Sequence, residues 1–523
     1  MKRHPLIEKT NDVHCSRDTL ETLNAMFLFP TTKFNPLDYL SCDVRVLERR
    51  SQMFHDTLKI TGLYQLLENV VSLLEYIAQI VKLKSVISEA DRGLFSLKQM
   101  NNYFLVIDSL SDFFERKAAQ FTSPDYVELF HTILNIRTSE EYKQLRKNSS
   151  QLMEQIYRIK SVTVGFNLNA AFEPYEAGLL AINDNYVESG KVIDRILRLD
   201  TIDTRQLLSI APIVPCKKEC KKDEYESLHL SVYSAMGKIF KKQVRQWEPE
   251  FNKYMSDNLS FLIDLIPDIH FILNISKIQQ KLIDTKMPLC VPSFHVMEEK
   301  VFIAQGLYNP TLAIDLFEKS GLAMPVKNSL SFDDNGQIFL LTGPNSGGKS
   351  VFLKAVGIAQ IMAQIGMLVP AEKMEISPVS AIFVETPKMN GINGRLETEC
   401  QTFQDIFEKI NEWSLLLVDE AFSSTAPNEA ITLILEVMKA MRHIKTRGII
   451  ASHFHSLADL LCGLNDEGNE GTSKFDFLVA GIEADEQRTY VIERRFPDGK
   501  SFAKSIANRY GISYEKLVGT VNE

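Results

Sequence analysis

The spacing of apolar residues divides the chain into a helical part and a part made of short buried strands. Over residues 63–81, apolar side chains recur every three or four positions, the pattern of one helix face. A second stripe of this kind covers residues 100–114, and Thr138 followed by Glu141 predicts a capped helix start. That helix should end before the extended stretch 161–166. The first three hundred residues therefore predict a mostly helical scaffold.

Near residue 302 the pattern changes to short continuous apolar runs. Residues 337–341, 415–418 and 448–451 are typical of strands buried on both faces of a parallel sheet, and helical stretches alternate with them. This alternation predicts an α/β domain whose ligand lies beyond the carboxyl ends of the strands.

A glycine-rich motif lies between the first of these strands and a helix predicted over residues 351–365. It matches the pattern G-x-x-x-x-G-K-[ST] and consists of Gly343, Pro344, Asn345, Ser346, Gly347, Gly348, Lys349 and Ser350. Such a loop turns backbone N–H groups toward phosphates at the positive end of a helix. We expect Lys349 to reach the β- and γ-phosphate oxygens and the Ser350 hydroxyl to bind Mg²⁺. The predicted cofactors are ATP and Mg²⁺.

Polar residues that end the two later strands are the other candidates for catalysis. Asp419 and Glu420 follow residues 415–418, and adjacent carboxylates at a buried strand end need a compensating cation. We expect Asp419 to hold the metal and Glu420 to polarise the attacking water. His453 follows residues 448–451 and is expected to sense the γ-phosphate, although a histidine in such a place is as often a satisfied polar group.

Composition is that of a soluble protein, with 45% hydrophobic and 24% charged residues. We expect no apolar run long enough to cross a bilayer, no membrane partner and no secretory signal at the N-terminus. An odd number of scattered cysteines is typical of reduced thiols, which predicts a cytoplasmic location. The seven are Cys15, Cys42, Cys216, Cys220, Cys290, Cys400 and Cys462. Cys216 and Cys220 lie close together, but without a second pair they indicate free thiols rather than a zinc site.

Taken in order, these motifs resemble the MutS family of mismatch-repair ATPases. The resemblance rests on the glycine-rich loop with its Pro344-Asn345, on residues 363–371, on Asp419-Glu420, on residues 452–455 and on residues 499–512. Residues 18–23 and 46–50 are similar to the start of the family's helical core.

The resemblance implies a multidomain fold, with an all-α core, lever and clamp region followed by an α/β ABC-type P-loop ATPase domain. The implied domains are a helical core at 1–125, lever helices and clamp at 126–265, a return to the core at 266–300, and the ATPase domain with C-terminal dimerisation helices at 301–523. It further implies a homodimer in which each ATP site is completed by the partner and the levers move on duplex DNA.

Three departures from the family pattern modify these expectations. The chain begins about where the family's core begins, so we expect no domain for direct mismatch sensing. The loop expected to complete the partner's site, around residues 390–403, has no clear serine, so hydrolysis is expected to be slow or differently completed. Residues 421–427 replace a turn that contains glycine and arginine in the family, and we expect no assembly through a C-terminal helix-turn-helix.

The densest basic region lies in the presumed lever segment and is the candidate DNA contact. A net charge of −9 does not exclude such a contact, because the Debye length is about 10 Å at 0.1 M salt. Phosphate contacts of this kind give salt-dependent affinity without sequence readout. A solvated helix face is an equal alternative, because acidic residues are interleaved among the lysines. The basic residues are Lys217, Lys218, Lys221, Lys222, Lys238, Lys241, Lys242 and Arg245.

The leading hypothesis is an ATP-gated clamp on distorted or branched DNA in repair or recombination. The alternative is an ATP-dependent structural or adaptor protein that acts on a protein or RNA complex, such as a ribosome, without binding DNA. A transporter-type ABC subunit ranks third, because no membrane partner motif occurs.

Overall fold

The computed structural model describes residues 9–83, 92–189, 208–209, 259–321, 324–333, 336–344, 347–386, 394–466, 473–482 and 488–497, apart from a few positions within these ranges. The chain divides into two compact units. The first is formed mainly by Gln65–Ala119 and Tyr126–His270, and the second by Leu6–Tyr64, Gln120–Asp125 and Phe271–Glu523. The predicted boundaries after residues 125, 265 and 300 stay predictions.

The described helices, in chain order, are α1 (Arg17–Thr22), α2 (Val44–Lys59), α3 (Leu63–Leu83), α4 (Arg92–Lys117), α5 (Pro124–Thr138), α6 (Glu140–Tyr157), α7 (Leu259–Asp284), α8 (Pro310–Ser320), α9 (Lys349–Ile365), α10 (Arg395–Phe407), α11 (Pro427–Ile444) and α12 (Ser456–Asp466). The described strands are β1 (Ser161–Leu168), β2 (Pro174–Asn183), β3 (Glu188–Ser189), β4 (Leu208–Ser209), β5 (Ser293–Phe294), β6 (Phe302–Leu307), β7 (Asn328–Phe332), β8 (Ile338–Thr342), β9 (Lys373–Ile376), β10 (Ala381–Glu385), β11 (Ser414–Asp419), β12 (Arg447–Ala451), β13 (Phe475–Ile482) and β14 (Arg488–Arg494).

The first unit is helical, as its apolar periodicity predicts. The stripe over residues 63–81 lies in α3, and the stripe over 100–114 lies in α4 with its apolar side chains buried. The predicted cap at Thr138 is wrong by one residue. Thr138 ends α5 and donates its hydroxyl back to the Leu134 carbonyl, while the Ser139 hydroxyl accepts a hydrogen bond from the Tyr142 N–H and starts α6.

A β-hairpin follows α6 in the same unit. Strand β1 contains the predicted extended stretch and pairs antiparallel with β2, with two register shifts. Two large apolar side chains of this hairpin are exposed, Phe172 by 83% and Leu180 by 71%.

The second unit is built on a six-stranded sheet with the order β10-β11-β12-β8-β13-β14. All neighbouring strands are parallel except β13 and β14, which are antiparallel. The three predicted strands are β8, β11 and β12, which are neighbours, so the expected α/β class is confirmed. Helix α9 contains the predicted helix 351–365 and is buried along nearly its whole length. A smaller sheet with the order β5-β9-β6-β7 belongs to the same unit.

The N-terminal segment is part of this α/β unit and packs on α9. Its backbone extends the edge of the large sheet, because His14 donates to the Ser380 carbonyl and accepts from the Ile382 N–H. The side chain of Leu23 is fully buried, and a methyl group placed on Gly357 of α9 would lie 2.7 Å from it. Gln364, also on α9, exchanges hydrogen bonds with the backbone of Ser41. The side of α1 that carries Thr19 and Leu20 is therefore buried by the α/β core, while its polar residues face solvent.

Among the described residues, α7 is long and apolar enough to cross a bilayer by length and composition, contrary to the expectation that no such run exists. More than half of its most apolar window is buried inside the protein (56%). Such burial is typical of a core helix, and length with composition does not distinguish a core helix from a membrane span.

Several predicted features lie outside the described residues. They are the basic cluster from Lys217 to Arg245, the pair Cys216 and Cys220, and the motif at residues 499–512.

The contact between Leu23 and Gly357 predicts non-additive effects on stability. Gly357→Ala alone should be destabilising, because the new methyl group meets Leu23 at 2.7 Å and Leu417 at 3.0 Å. Leu23→Ala alone should cost about 2–5 kcal/mol through the cavity that it leaves. In the double variant the methyl group introduced by Gly357→Ala occupies part of the cavity left by Leu23→Ala. The decrease in the unfolding midpoint should therefore be smaller than the sum of the decreases in the two single variants. Met26→Ala, at a 37% exposed position, is the control. Additive losses in the double variant would contradict the contact between Leu23 and Gly357.

Candidate functional site

The glycine-rich loop connects β8 to α9 and has the backbone conformation that its glycines permit. Gly343 has φ +136° and Gly348 has φ +94°, in the region that side chains disfavour. A Cβ on Gly343 would lie 2.7 Å from the Cβ of Ala480, so the loop also packs too closely on β13 for a side chain. Gly347 and Pro344 belong to the same turn, and Gly348 precedes the first turn of α9. Asn345 and Ser346 lie outside the described residues.

Lys349 is buried at the N-terminus of α9, with its side chain only 4% exposed. Its ammonium donates to the carbonyls of Gly343 at 2.9 Å and Pro344 at 3.1 Å, and lies 3.6 Å from a carboxylate oxygen of Glu420. Burial lowers the pKa of Lys349, and the negative charges of Glu420 and Asp419 oppose that change. The structure thus brings Lys349 and Glu420, two of the candidate residues, into contact.

Asp419 ends β11 beside Ser350. Burial raises the pKa of its carboxyl group, and a hydrogen bond from Ser350 opposes the rise. Its Oδ1 is buried and has no hydrogen-bond partner among the described residues. A buried carboxylate oxygen without a partner, next to a hydroxyl, is a donor set suited to a hard cation such as Mg²⁺. The residues therefore fit the metal that the sequence predicts.

Glu420 has φ +50°, which is unusual for a residue with a side chain. Holding a residue there costs on the order of 1–3 kcal/mol. Its N–H donates to the carbonyl of Ala451, the last residue of β12, at 3.0 Å. This conformation directs the carboxylate back toward Lys349, with 33% of the side chain exposed.

The two histidines that follow β12, His453 and His455, differ in their exposure to solvent. His453, the predicted phosphate sensor, is exposed, and its ring lies 4.0 Å from that of Phe454. The neighbouring His455 is half-buried, and its Nδ1 has no partner among the described residues. Burial, followed by the charges of Lys349 and His453, lowers the pKa of His455. Sequence analysis did not single out His455, because its position relative to Lys349 depends on the turn after β12.

A cavity of about 520 Å³ adjoins Gly348, Lys349, Ser350 and Glu420. Its other walls are mainly apolar and come from the end of β6, from α8, from the segment before β7 and from β14. They include Leu307, Leu312, Leu316, Met324, Pro325, Val326 and Tyr490. A charged end and an apolar end are the two surfaces that a nucleotide needs for its phosphates and its base. These wall residues have no motif spacing, so sequence analysis missed them.

Comparison with known proteins gives the same picture. The family model for MutS domain V matches residues 339–511. The chain is 31% identical over 196 residues to the Endonuclease MutS2 of Thermus thermophilus, covering 37% of this chain and 25% of that protein. It is 30% identical over 200 residues to the DNA mismatch repair protein MutS of Prochlorococcus marinus, covering 38% and 20%. It is 28% identical over 244 residues to the DNA mismatch repair protein Msh3 of Mus musculus, covering 45% and 21%. The chain thus spans a quarter or less of the length of these three relatives.

The glycine-rich loop, the paired carboxylates and the parallel sheet, together with this match, define an ABC-type ATPase domain, a kind of domain that binds ATP. More particularly, residues 339–511 match the model of MutS domain V, and the resemblance to the MutS family is confirmed for this part of the chain.

Asp419 should be a destabilising residue in the nucleotide-free protein. Its raised pKa means that the folded state binds its proton more tightly than the unfolded state does, so the ionised form is disfavoured on folding near neutral pH. We expect Asp419→Asn to raise the thermal midpoint without nucleotide by a few degrees. The difference from the parent should shrink as the pH falls, because the parent then regains its proton.

Asp405→Asn, which changes an exposed carboxylate of α10, is the matched control and should leave the midpoint unchanged. A lower midpoint for Asp419→Asn would show that the carboxylate stabilises the fold instead.

Proposed function

We propose that this chain hydrolyses ATP in a Mg²⁺-dependent reaction at the loop 343–350. Backbone N–H groups of the loop and the Lys349 ammonium bind the phosphate oxygens, and Ser350 and Asp419 hold the metal, which neutralises developing charge when bound. Glu420 accepts a hydrogen bond from the attacking water and orients it toward the γ-phosphate. The observation that carries this proposal is the contact of Lys349 with Glu420, which brings the phosphate-binding and water-activating groups within 3.6 Å.

The cavity supports ATP as a substrate that binds with its base outside the loop. Its apolar walls, with Tyr490 beside Gly348, can cover a purine ring while Lys349 and Ser350 contact the phosphates.

We further propose that the chain acts as a homodimer and as a nucleotide-gated clamp on distorted or branched DNA, within the cytoplasm. Relatives over the ATPase domain are named DNA mismatch repair proteins and an endonuclease, which supports DNA as the partner. Moving a clamp from 1% to 99% closed needs about 5.5 kcal/mol of differential binding, which two ATP sites can supply. The five described cysteines are free thiols, as expected in a reducing compartment.

One observation favours the alternative of an adaptor that binds protein or RNA complexes. Residues 161–186, which include the hairpin β1–β2, contain no Lys or Arg but carry Glu173, Glu176 and Asp184. Such a hairpin offers no cation to a phosphate backbone. The basic cluster between Lys217 and Arg245 is then the candidate source of DNA affinity.

Two substitutions separate binding from chemistry. Lys349→Ala should abolish nucleotide binding, because the loop loses its buried cation. Glu420→Gln should retain ATP affinity and lower turnover, because an amide does not take up the proton of the attacking water. Calorimetry with Mg²⁺ and ATP measures the first effect, and phosphate release measures the second.

Asp405→Asn, at an exposed position of α10 outside residues 390–403, is a control for Glu420→Gln that removes a carboxylate elsewhere. Parental turnover in Glu420→Gln would refute the catalytic role of Glu420.

The DNA proposal predicts salt-dependent binding that changes with nucleotide. Affinity for duplex and junction DNA should differ with and without a non-hydrolysable ATP analogue, and should fall steeply with salt in proportion to the phosphates neutralised. A variant with Lys217, Lys218, Lys221 and Lys222 changed to Gln should have a shallower salt slope. If neither duplex nor junction binds at low salt, the adaptor function becomes the better proposal.

A further inference from the structure

The turn that follows Glu420 has two residues in the left-handed region. Glu420 has φ +50° and Phe422 has φ +57°, and neither is a glycine. Conformations of this kind persist only where surrounding contacts hold them. The hydrogen bond from Glu420 to Ala451 of β12 holds the beginning of the turn, so the contacts of Phe422 and Ser423 determine whether its end is held as well.

One face of α10 holds the end of this turn. Arg395, Glu399 and Phe403 are spaced four residues apart, which places them along one side of the helix. Glu399 accepts a hydrogen bond from the Phe422 N–H at 2.7 Å. The ring of Phe403 stacks on that of Phe422, with centroids 5.0 Å apart and an interplanar angle of 27°.

The carboxylate of Glu399 is itself held in place. Its side chain is only 4% exposed, and its second oxygen accepts a hydrogen bond from Arg395 Nε at 3.2 Å. Arg395 also donates through Nη2 to the Ser423 hydroxyl at 3.0 Å, which connects it to the residue after Phe422. A buried charge is tolerated when both of its oxygens are satisfied in this way.

We infer that Glu399 is a positioning residue for Glu420. Its carboxylate fixes the N–H of Phe422, two residues after Glu420, and so maintains the backbone conformation that aims the Glu420 carboxylate at Lys349. The inference rests on the proposed ATP hydrolysis, in which Glu420 orients the attacking water. Within the described part of the chain, no hydrogen bond or ion pair joins Glu399 to Lys349 or Ser350, so its effect should be on turnover rather than on nucleotide affinity.

Two substitutions at this position differ in whether they keep the acceptor. Glu399→Leu removes the acceptor of the Phe422 N–H, and a displacement of about 1 Å at Glu420 is expected to lower kcat about 100-fold. The Kd for ATP measured by calorimetry should stay close to that of the parent. Glu399→Gln retains an amide oxygen for the Phe422 N–H, so its kcat should stay within about fivefold of the parent. Asp405→Leu, at an exposed carboxylate of the same helix, is the matched control.

A double variant tests whether Glu399 acts through Glu420. In a Glu420→Gln background, Glu399→Leu should lower kcat little further, because the group that it positions is already disabled. If the two losses multiply, or if Glu399→Leu lowers ATP affinity as much as kcat, the positioning role is refuted and Glu399 is only structural.

Amide hydrogen exchange without nucleotide tests the hydrogen bond independently of catalysis. Exchange over residues 420–423 should accelerate in Glu399→Leu but not in Glu399→Gln or Asp405→Leu. Unchanged exchange in Glu399→Leu would overturn the inference whether or not ATP is hydrolysed. Conversely, a parent protein without ATPase activity but with the expected exchange pattern would overturn the proposed function and the role in turnover while confirming the hydrogen bond.

Discussion

The site depends on one buried ammonium. The Lys349 side chain lies between the loop carbonyls of Gly343 and Pro344 and the carboxylate of Glu420, with almost no contact with solvent. This cation partly offsets the repulsion between the adjacent carboxylates of Asp419 and Glu420 at the end of a buried strand. The opposite changes in pKa, downward for Lys349 and upward for Asp419, show that burial disfavours both charges. Keeping these groups charged while they are buried is thus unfavourable without a ligand, which is typical of a site that binds a charged ligand.

Strand register explains why these groups meet. Strand β12 lies between β8 and β11, and Ala451 pairs with Leu341 on one side and with Asp419 on the other. The three strands therefore end at the same level, and the residues that follow each strand converge at one edge of the sheet. Parallel pairing makes this convergence a property of the fold, and the positive φ of Glu420 then turns its carboxylate inward.

Sequence analysis correctly predicted those features of the fold whose physical cause lies within a few neighbouring residues. Continuous apolar runs predicted β8, β11 and β12, and the glycines of the loop predicted its position between β8 and α9, because burial and backbone freedom act within a few residues. It failed where partners are far apart in the chain. From the sequence, residues 390–403 are interpreted only as a loop that completes the partner's site, whereas the role of Glu399 depends on Phe422, 23 residues later. The same limit applies to His455 and to the packing of Leu23 on Gly357. The error of one residue at Thr138 has a different cause, since two adjacent hydroxyl residues can each form a cap.

The N-terminal segment also affects the order in which the protein can fold. Ser41 and Gln364, which bond each other, are 323 residues apart, so a ribosome completes most of the chain before α1 and α2 can meet α9. Until then the side chains of Leu20 in α1 and of Leu23, which follows α1, have no partner in the α/β core. Contacts at such sequence separation form slowly, and the exposed apolar surface favours aggregation in the meantime. Nascent chains of this protein should therefore need chaperones more than their mature stability suggests.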